Sequence, residues 1–185
     1  VVMSRVRHAI RALASVENDP ATILEKANRV LRLQGDQMVT ALCGTYDARS
    51  GQLVYASAGH PPALIAGAGG SVRTLRSEAP PLGIVDAVDA LSNLEMLAPG
   101  EAFVAYTDGI VENERDFMRG EQRLHEVVGL LAFETTPNPA DAIRRRILGT
   151  RPGRDDIAIL VIIRPSVDAP AQDAPAHGGN VGISA

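Results

Sequence analysis

The sequence predicts an α+β domain with mainly antiparallel strands. Three patterns carry that reading: apolar residues at helical spacing near the N-terminus, short strand pairs joined by turns through the middle, and a return to helical spacing before one last apolar strand.

Taken in order, Val2, Val6, Ala9 and Leu13 share one helical stripe, with Arg5, His8 and Arg11 largely off it. Val1 offers neither a cap nor a start methionine, so sequence is expected to precede this chain. Asp19-Pro20 supplies an N-cap followed by proline at the first helical position, and Ile23, Ala27 and Val30 form the apolar side of a second helix with Gly35 as its stop. Met38 to Cys43 shows little polar alternation, as in a strand covered on both faces, and Asp47 to Gly51 turns it into Gln52 to Tyr55. Ala63 to Ala66 and Val72 to Leu75 flank the turn Gly67 to Gly70. A third hairpin is expected from Leu91 to Leu97 through Ala98-Pro99-Gly100-Glu101 into Phe103 to Tyr106. Leu124, Val127, Val128 and Leu131 then space as a helix face, Asn138-Pro139 opens a helix carrying Ile143 and Ile147, and Ile157 to Ile163 is the last strand. From Pro165 to Ala185 no apolar period remains, the pattern of a flexible tail or linker.

Composition sets the class of partner. A chain of 185 residues, 45% hydrophobic, is long enough to bury a core and suits one domain. The net charge of -4 argues against nucleic acid as a partner. The single cysteine, Cys43, excludes an intrachain disulfide and a cysteine zinc cluster, which fits a reducing cytoplasm; it reads as a core residue. No apolar run approaches the ~20 residues that span a bilayer, so no membrane insertion is expected.

Chemistry is concentrated at two acidic segments. Phe103 to Gly109 delivers one carboxylate, Asp108, from an apolar strand into a glycine turn, and Asp155-Asp156 abuts the last apolar run. An Asp at the mouth of a buried strand is costly unless it caps a turn, pairs with a cation or binds a metal, so two such acids suggest a divalent-metal site. The plainer readings stand beside this one. Asp108-Gly109 is also a common turn, and Asp155 and Asp156 also suit a solvated turn neutralised by Arg154. His60, between glycine and two prolines, reads as a rigid corner before it reads as an acid or base. Arg144, Arg145 and Arg146 read as the wet face of a helix, with phosphoprotein docking as the alternative.

Four segments occur in a fixed order: Ala58-Gly59-His60-Pro61-Pro62, Pro81-Leu82-Gly83, Tyr106-Thr107-Asp108-Gly109-Ile110-Val111-Glu112 and Asp155-Asp156-Ile157-Ala158. On these, the stretch from Met3 to Arg164 resembles the stage II sporulation E-type, sigma-factor-regulator branch of the metal-dependent type 2C serine/threonine protein phosphatases. The resemblance implies an α-β-β-α sandwich of two antiparallel sheets with outer helices, here lacking its first strands, over residues 1–164, with 165–185 as tail. It also implies hydrolysis of phosphoserine or phosphothreonine without a covalent enzyme intermediate, assisted by two Mg or Mn ions, on a regulatory protein such as an anti-sigma-factor antagonist. By position Asp108 and Asp155 match metal ligands of the family, with Gly109 and Asp156 lying behind them. The family's opening segment, an Asp followed by Gly-His-Gly, has no counterpart here, so the ion site is expected to be incomplete in this chain and the chain alone inactive. Ala158 stands where the family often has Thr. The competing reading is a non-catalytic, phosphatase-like interaction module.

Overall fold

In the computed structural model the described residues are 2–33, 38–76, 79–112, 116–151, 153, 155–166 and 182–184; the expected stop at Gly35 and the neutralising Arg154 lie outside them. Along the chain run α1 (Val2–Ala14), α2 (Pro20–Arg32), β1 (Ala41–Asp47), β2 (Gln52–Ala58), β3 (Leu64–Ala66), β4 (Val72–Thr74), β5 (Asn93–Met96), β6 (Ala102–Tyr106), α3 (Phe117–Gly129), α4 (Pro139–Leu148), β7 (Ile159–Ile163) and β8 (Gly182–Ser184). These elements form two compact units, the first from Val1–His60, Arg76–Met96 and Pro175–Ala185 and the second from Pro61–Leu75 and Leu97–Ala174.

The first unit is a sheet ordered β5-β2-β1-β8 with α1 and α2 packed on it. Asp19 caps α2 as expected: its carboxylate accepts from the Thr22 amide at 3.0 Å, and Pro20 takes a first-turn position where no amide is needed. The buried arc of α2 passes through Ile23, Leu24, Ala27, Asn28 and Leu31. Val30, expected on the apolar side, lies off this arc and is 40% exposed. The sheet offers the helices small residues, Ala41, Cys43, Ala56 and Ala58, so Val6, Ile10, Ile23, Leu24 and Leu31 fill the space above them. Each such side chain, fully buried, contributes about 2 kcal/mol of apolar transfer. β1 and β2 pair from Ala41↔Ala58 to Asp47↔Gln52, joined by a turn in which Asp47 accepts from the Arg49 amide at 2.9 Å and the Ser50 hydroxyl at 2.9 Å.

The second unit is a sheet ordered β4-β3-β6-β7 with α3 and α4 on it. β6 is buried along its whole length and pairs with β3 on one side and β7 on the other. Leu64, Val104, Tyr106, Ile110, Leu124, Val128, Ile143 and Ile147 share its core. α3 comes close to the segment after β6: a Cβ on Gly120 would stand 2.1 Å from the Val111 carbonyl oxygen.

Two expectations are corrected. β5 and β6 do not form a hairpin; β5 pairs with β2 and β6 with β3 and β7. Their surroundings differ, since β5 alternates half-buried and exposed positions while β6 is buried throughout. The Ala98 to Glu101 turn is tied instead to the end of β7: the Gly100 amide donates to the Arg164 carbonyl at 2.7 Å, and the Arg164 amide to the Glu101 carbonyl at 2.9 Å. Within the segment read as tail, Gly182–Ser184 forms β8, antiparallel to β1 from Ala41↔Ser184 to Cys43↔Gly182. An edge strand of three residues needs only backbone donors and acceptors, which leave no apolar period to read. The described residues thus contain two antiparallel four-stranded sheets and four helices, the expected α+β class. Among them no helix is long and apolar enough to cross a membrane.

Candidate metal centre

The sheet ladder itself brings the two acidic segments together. Tyr106 pairs with Ile159 at the end of β6, and the Thr107 amide donates to the Ala158 carbonyl at 3.0 Å, one step further. There β6 stops. The Thr107 carbonyl accepts from Ile110 at 3.2 Å, and the Asp108 carbonyl from Val111 at 2.9 Å and Glu112 at 3.0 Å, so the chain closes into a single 3-10 turn, Asp108–Ile110. Asp108 stands exposed at this corner.

On the β7 side, a carboxylate oxygen of Asp155 accepts from the Asp156 amide at 2.7 Å, which fixes the local turn. The Asp156 carbonyl accepts from the Thr107 hydroxyl at 3.1 Å, and that hydroxyl accepts from the Ala158 amide at 2.9 Å. Gly109 is buried against the same carbonyl: a Cβ there would be 2.6 Å from the Asp156 oxygen and 3.2 Å from Ile157 Cγ1. Gly109 and Asp156, placed by the sequence behind the acids, are therefore in contact through the Asp156 main chain.

Asp108, Asp155 and Asp156 are all exposed. Water solvates them, so the desolvation argument that singled them out does not apply; what the fold supplies is the joining of the two loops that carry Asp108 and Asp155. Exposed carboxylate oxygens suit a hard divalent cation in kind. Among the described residues no group of three or more His, Cys, Asp and Glu gathers that could hold a metal ion.

The other two sequence segments meet in the first unit. Gly59, at φ 66°, donates its amide to Ala79 at 2.8 Å, and a Cβ there would be 2.4 Å from Pro81 Cγ. His60 is 1% exposed. Leu82 and Val39 exchange backbone hydrogen bonds of 2.8 and 3.0 Å. Asn28 of α2, fully buried, accepts from the Gly83 amide at 2.7 Å and donates to the carbonyls of Val85 at 3.0 Å and Asp86 at 3.3 Å.

Cys43 is buried, and burial first, then the Asp19 charge, pushes its thiol up to about 11, as suits an inert core residue. Arg144 and Arg145 both pair with Asp141 on the exposed side of α4, where water and salt screen them. Sequence reasoning passed over Thr107 and Asn28. A hydroxyl immediately before the Asp-Gly turn was the available signal for the first, and an amide on the buried arc of a helix for the second.

A family model for stage II sporulation protein E (SpoIIE) matches residues 1–165. Protein IcfG of Synechocystis sp. is 29% identical over 131 residues, 68% of this chain and 20% of that protein. Among solved structures, the RsbU and RsbW domains of Rv1364c from Mycobacterium tuberculosis match 89% of this chain and 48% of theirs, with a TM-score of 0.75 and 28% identity. The SiaA-PP2C domain of Pseudomonas aeruginosa matches 85% of this chain and 67% of its own, with a TM-score of 0.63 and 26% identity. The SpoIIE phosphatase domain of Bacillus subtilis, at 18% identity and a TM-score of 0.59, shares the fold. The chain spans a fifth of the curated relative and about half of the Mycobacterium tuberculosis structure. A family match over nearly the whole chain, with two antiparallel sheets and the ordered acidic segments, establishes that this chain belongs to the SpoIIE-type branch of the type 2C (PP2C) serine/threonine phosphatase family.

Proposed function

We propose that this chain is part of a metal-dependent protein serine/threonine phosphatase that hydrolyses phosphoserine or phosphothreonine on a regulatory protein, such as an anti-sigma-factor antagonist. The observation that carries the reading is the joining of the Asp108 turn to the Asp155-Asp156 segment at the ends of neighbouring strands β6 and β7. Asp108 and Asp155 would hold Mg or Mn. When bound, the ion supplies Lewis-acid chemistry and activation of water for phosphate ester hydrolysis.

The residues of this chain have three tasks. The two carboxylates supply oxygens, Gly109 lets the Asp108 turn lie against the 156 carbonyl, and the Asp155 to Asp156 hydrogen bond orients the second acid. A hard cation of the Mg type takes about six oxygens, so two carboxylates leave positions for water and for donors outside this pair. The 185-residue chain by itself is therefore expected to bind Mg or Mn weakly, at no more than one site, with negligible turnover.

The test is Mn-dependent release of phosphate from a phosphoserine peptide by the intact protein that carries this chain. Asp108→Asn and Asp155→Asn are each expected to lower turnover by about 1,000-fold or more while leaving the melting temperature nearly unchanged, because Asn keeps the shape and loses the charge. His60→Ala is expected to cost activity far less. Turnover in the Asp108→Asn variant equal to wild type overturns the assignment, and a protein that binds the regulator without hydrolysing any phosphopeptide favours the interaction-module reading.

A further inference from the structure

We infer that Thr107 is a positioning residue of the metal centre: its hydroxyl sets the register between the loops that carry Asp108 and Asp155, and so sets their joint affinity for a divalent ion. The inference deepens the metal-dependent reading above and rests on it.

In an antiparallel hydrogen-bonded pair, two residues exchange amide and carbonyl. Thr107 and Ala158 complete only half of that exchange through the backbone, from the Thr107 amide to the Ala158 carbonyl at 3.0 Å. The Thr107 carbonyl is engaged by Ile110, which turns the chain toward Asp108. Its hydroxyl replaces it, accepting from the Ala158 amide at 2.9 Å, and directs its own hydrogen to the Asp156 carbonyl at 3.1 Å. One side chain therefore ends the ladder, frees the backbone for the turn and grips the residue between Asp155 and Ile157. Gly109 lies close to the same carbonyl: a Cβ there would stand 2.6 Å from the Asp156 oxygen and would not fit.

Position, rather than stability, is what this hydroxyl controls. Thr107 is 9% exposed, whereas Asp156 and Ala158 are exposed residues at the surface end of the ladder. Water cannot hold the two loops in register. Metal sites lose ten- to a hundredfold in affinity when groups that orient the ligands are removed.

The experiment is a Mn(II) titration of the full chain followed by electron paramagnetic resonance of the free ion, with melting temperature and amide exchange at Ala158 measured on the same samples. Thr107→Val keeps the branched shape without the hydroxyl, and Thr107→Ser keeps the hydroxyl without the methyl. The expected result is about tenfold weaker Mn binding and faster Ala158 exchange in Thr107→Val, with binding within about threefold of wild type in Thr107→Ser. If Thr107→Val does not fold, Thr107→Ala takes its place in the same comparison. Wild-type binding that is lost in Asp108→Asn but retained in the hydroxyl-free variant overturns this inference alone, as does equal loss in Thr107→Ser. A wild-type chain whose Mn binding is absent or unaffected by Asp108→Asn overturns this inference; the metal reading falls with it only if Asp108→Asn of the intact protein also turns over like wild type.

Discussion

The two sheets carry sequence signatures of equal prominence in different surroundings. In the first unit Gly59, Pro81 and Gly83 are engaged in backbone geometry, with a positive φ, a proline against a missing Cβ and an amide held by Asn28, and His60 is buried. In the second unit the signature shapes a turn in the same way with Gly109, yet leaves Asp108 and Asp155 facing solvent. A recurring motif is thus no guide by itself to chemistry. Exposure of a functional group on a backbone that cannot relax is the better sign, because such a group is available to a ligand and already placed.

The comparison predicts opposite signatures for substitutions in the two places, and the largest effect on stability belongs to Gly59→Ala. The new methyl would impose φ 66° on an L-residue and enter the Pro81 ring. Strain and overpacking together are expected to cost about 3 kcal/mol, or roughly 10 °C in melting temperature for a domain of this size. Asp108→Asn, its counterpart in the second unit, is expected to leave the melting temperature within a degree or two. A Gly59→Ala variant as stable as wild type would break the distinction between a structural and a chemical signature.

Asn28→Ala sharpens the same point with a smaller effect. Removing the amide leaves the Gly83 N–H buried without its acceptor and takes a donor from the Val85 and Asp86 carbonyls. A loss of about 2 kcal/mol is expected, with faster amide exchange at Gly83. Unchanged exchange at Gly83 would mean that the loop from Gly83 to Asp86 is held by its own turn and by Arg32, which bonds the Gly83 carbonyl at 3.2 Å and pairs with Asp86 at 2.5 Å.

What the sequence made legible was local. The Asp19 bond to the Thr22 amide, the Asp47 to Gly51 turn and the Asn138 cap of α4 each join residues at most four apart, so their signals sit in one short window. The acids Asp108 and Asp155 were legible as candidates because a charge beside an apolar run breaks the pattern. Thr107 and Asn28 were not, since their partners lie 49 and 55 residues away and a lone polar residue in an apolar stretch carries no sign of them. The β5 to β6 hairpin was misread for the same reason: Pro99-Gly100 is a good local turn, and what directs it is Arg164, reached only through the fold.

The smallest effect is an electrostatic one in the first unit. The carboxyl of Asp19 is held below its ordinary value chiefly by the hydrogen bond from the Ser92 hydroxyl, then by those from Thr22. A lowered folded value means that the charged form is favoured by folding. That contribution is complete above the unfolded value of about 3.9 and is lost as pH falls through the folded value. Asp19→Ala removes the cap and the link to Ser92, so it is expected to cost about 1 kcal/mol at pH 7, with fraying at the start of α2. Urea unfolding of wild type and variant, stepped from pH 7 to pH 2.5, should show the gap between them narrowing below about pH 4, as protonation weakens in wild type the bonds that the variant already lacks. A gap that stays constant to the acid limit would assign the cap to shape alone; one that widens would contradict the sign of the shift. Either result would also weaken the contrast between the units, because in the first unit an acid held by two hydroxyls and an amide serves the fold, whereas Asp108 in the second stands exposed to solvent.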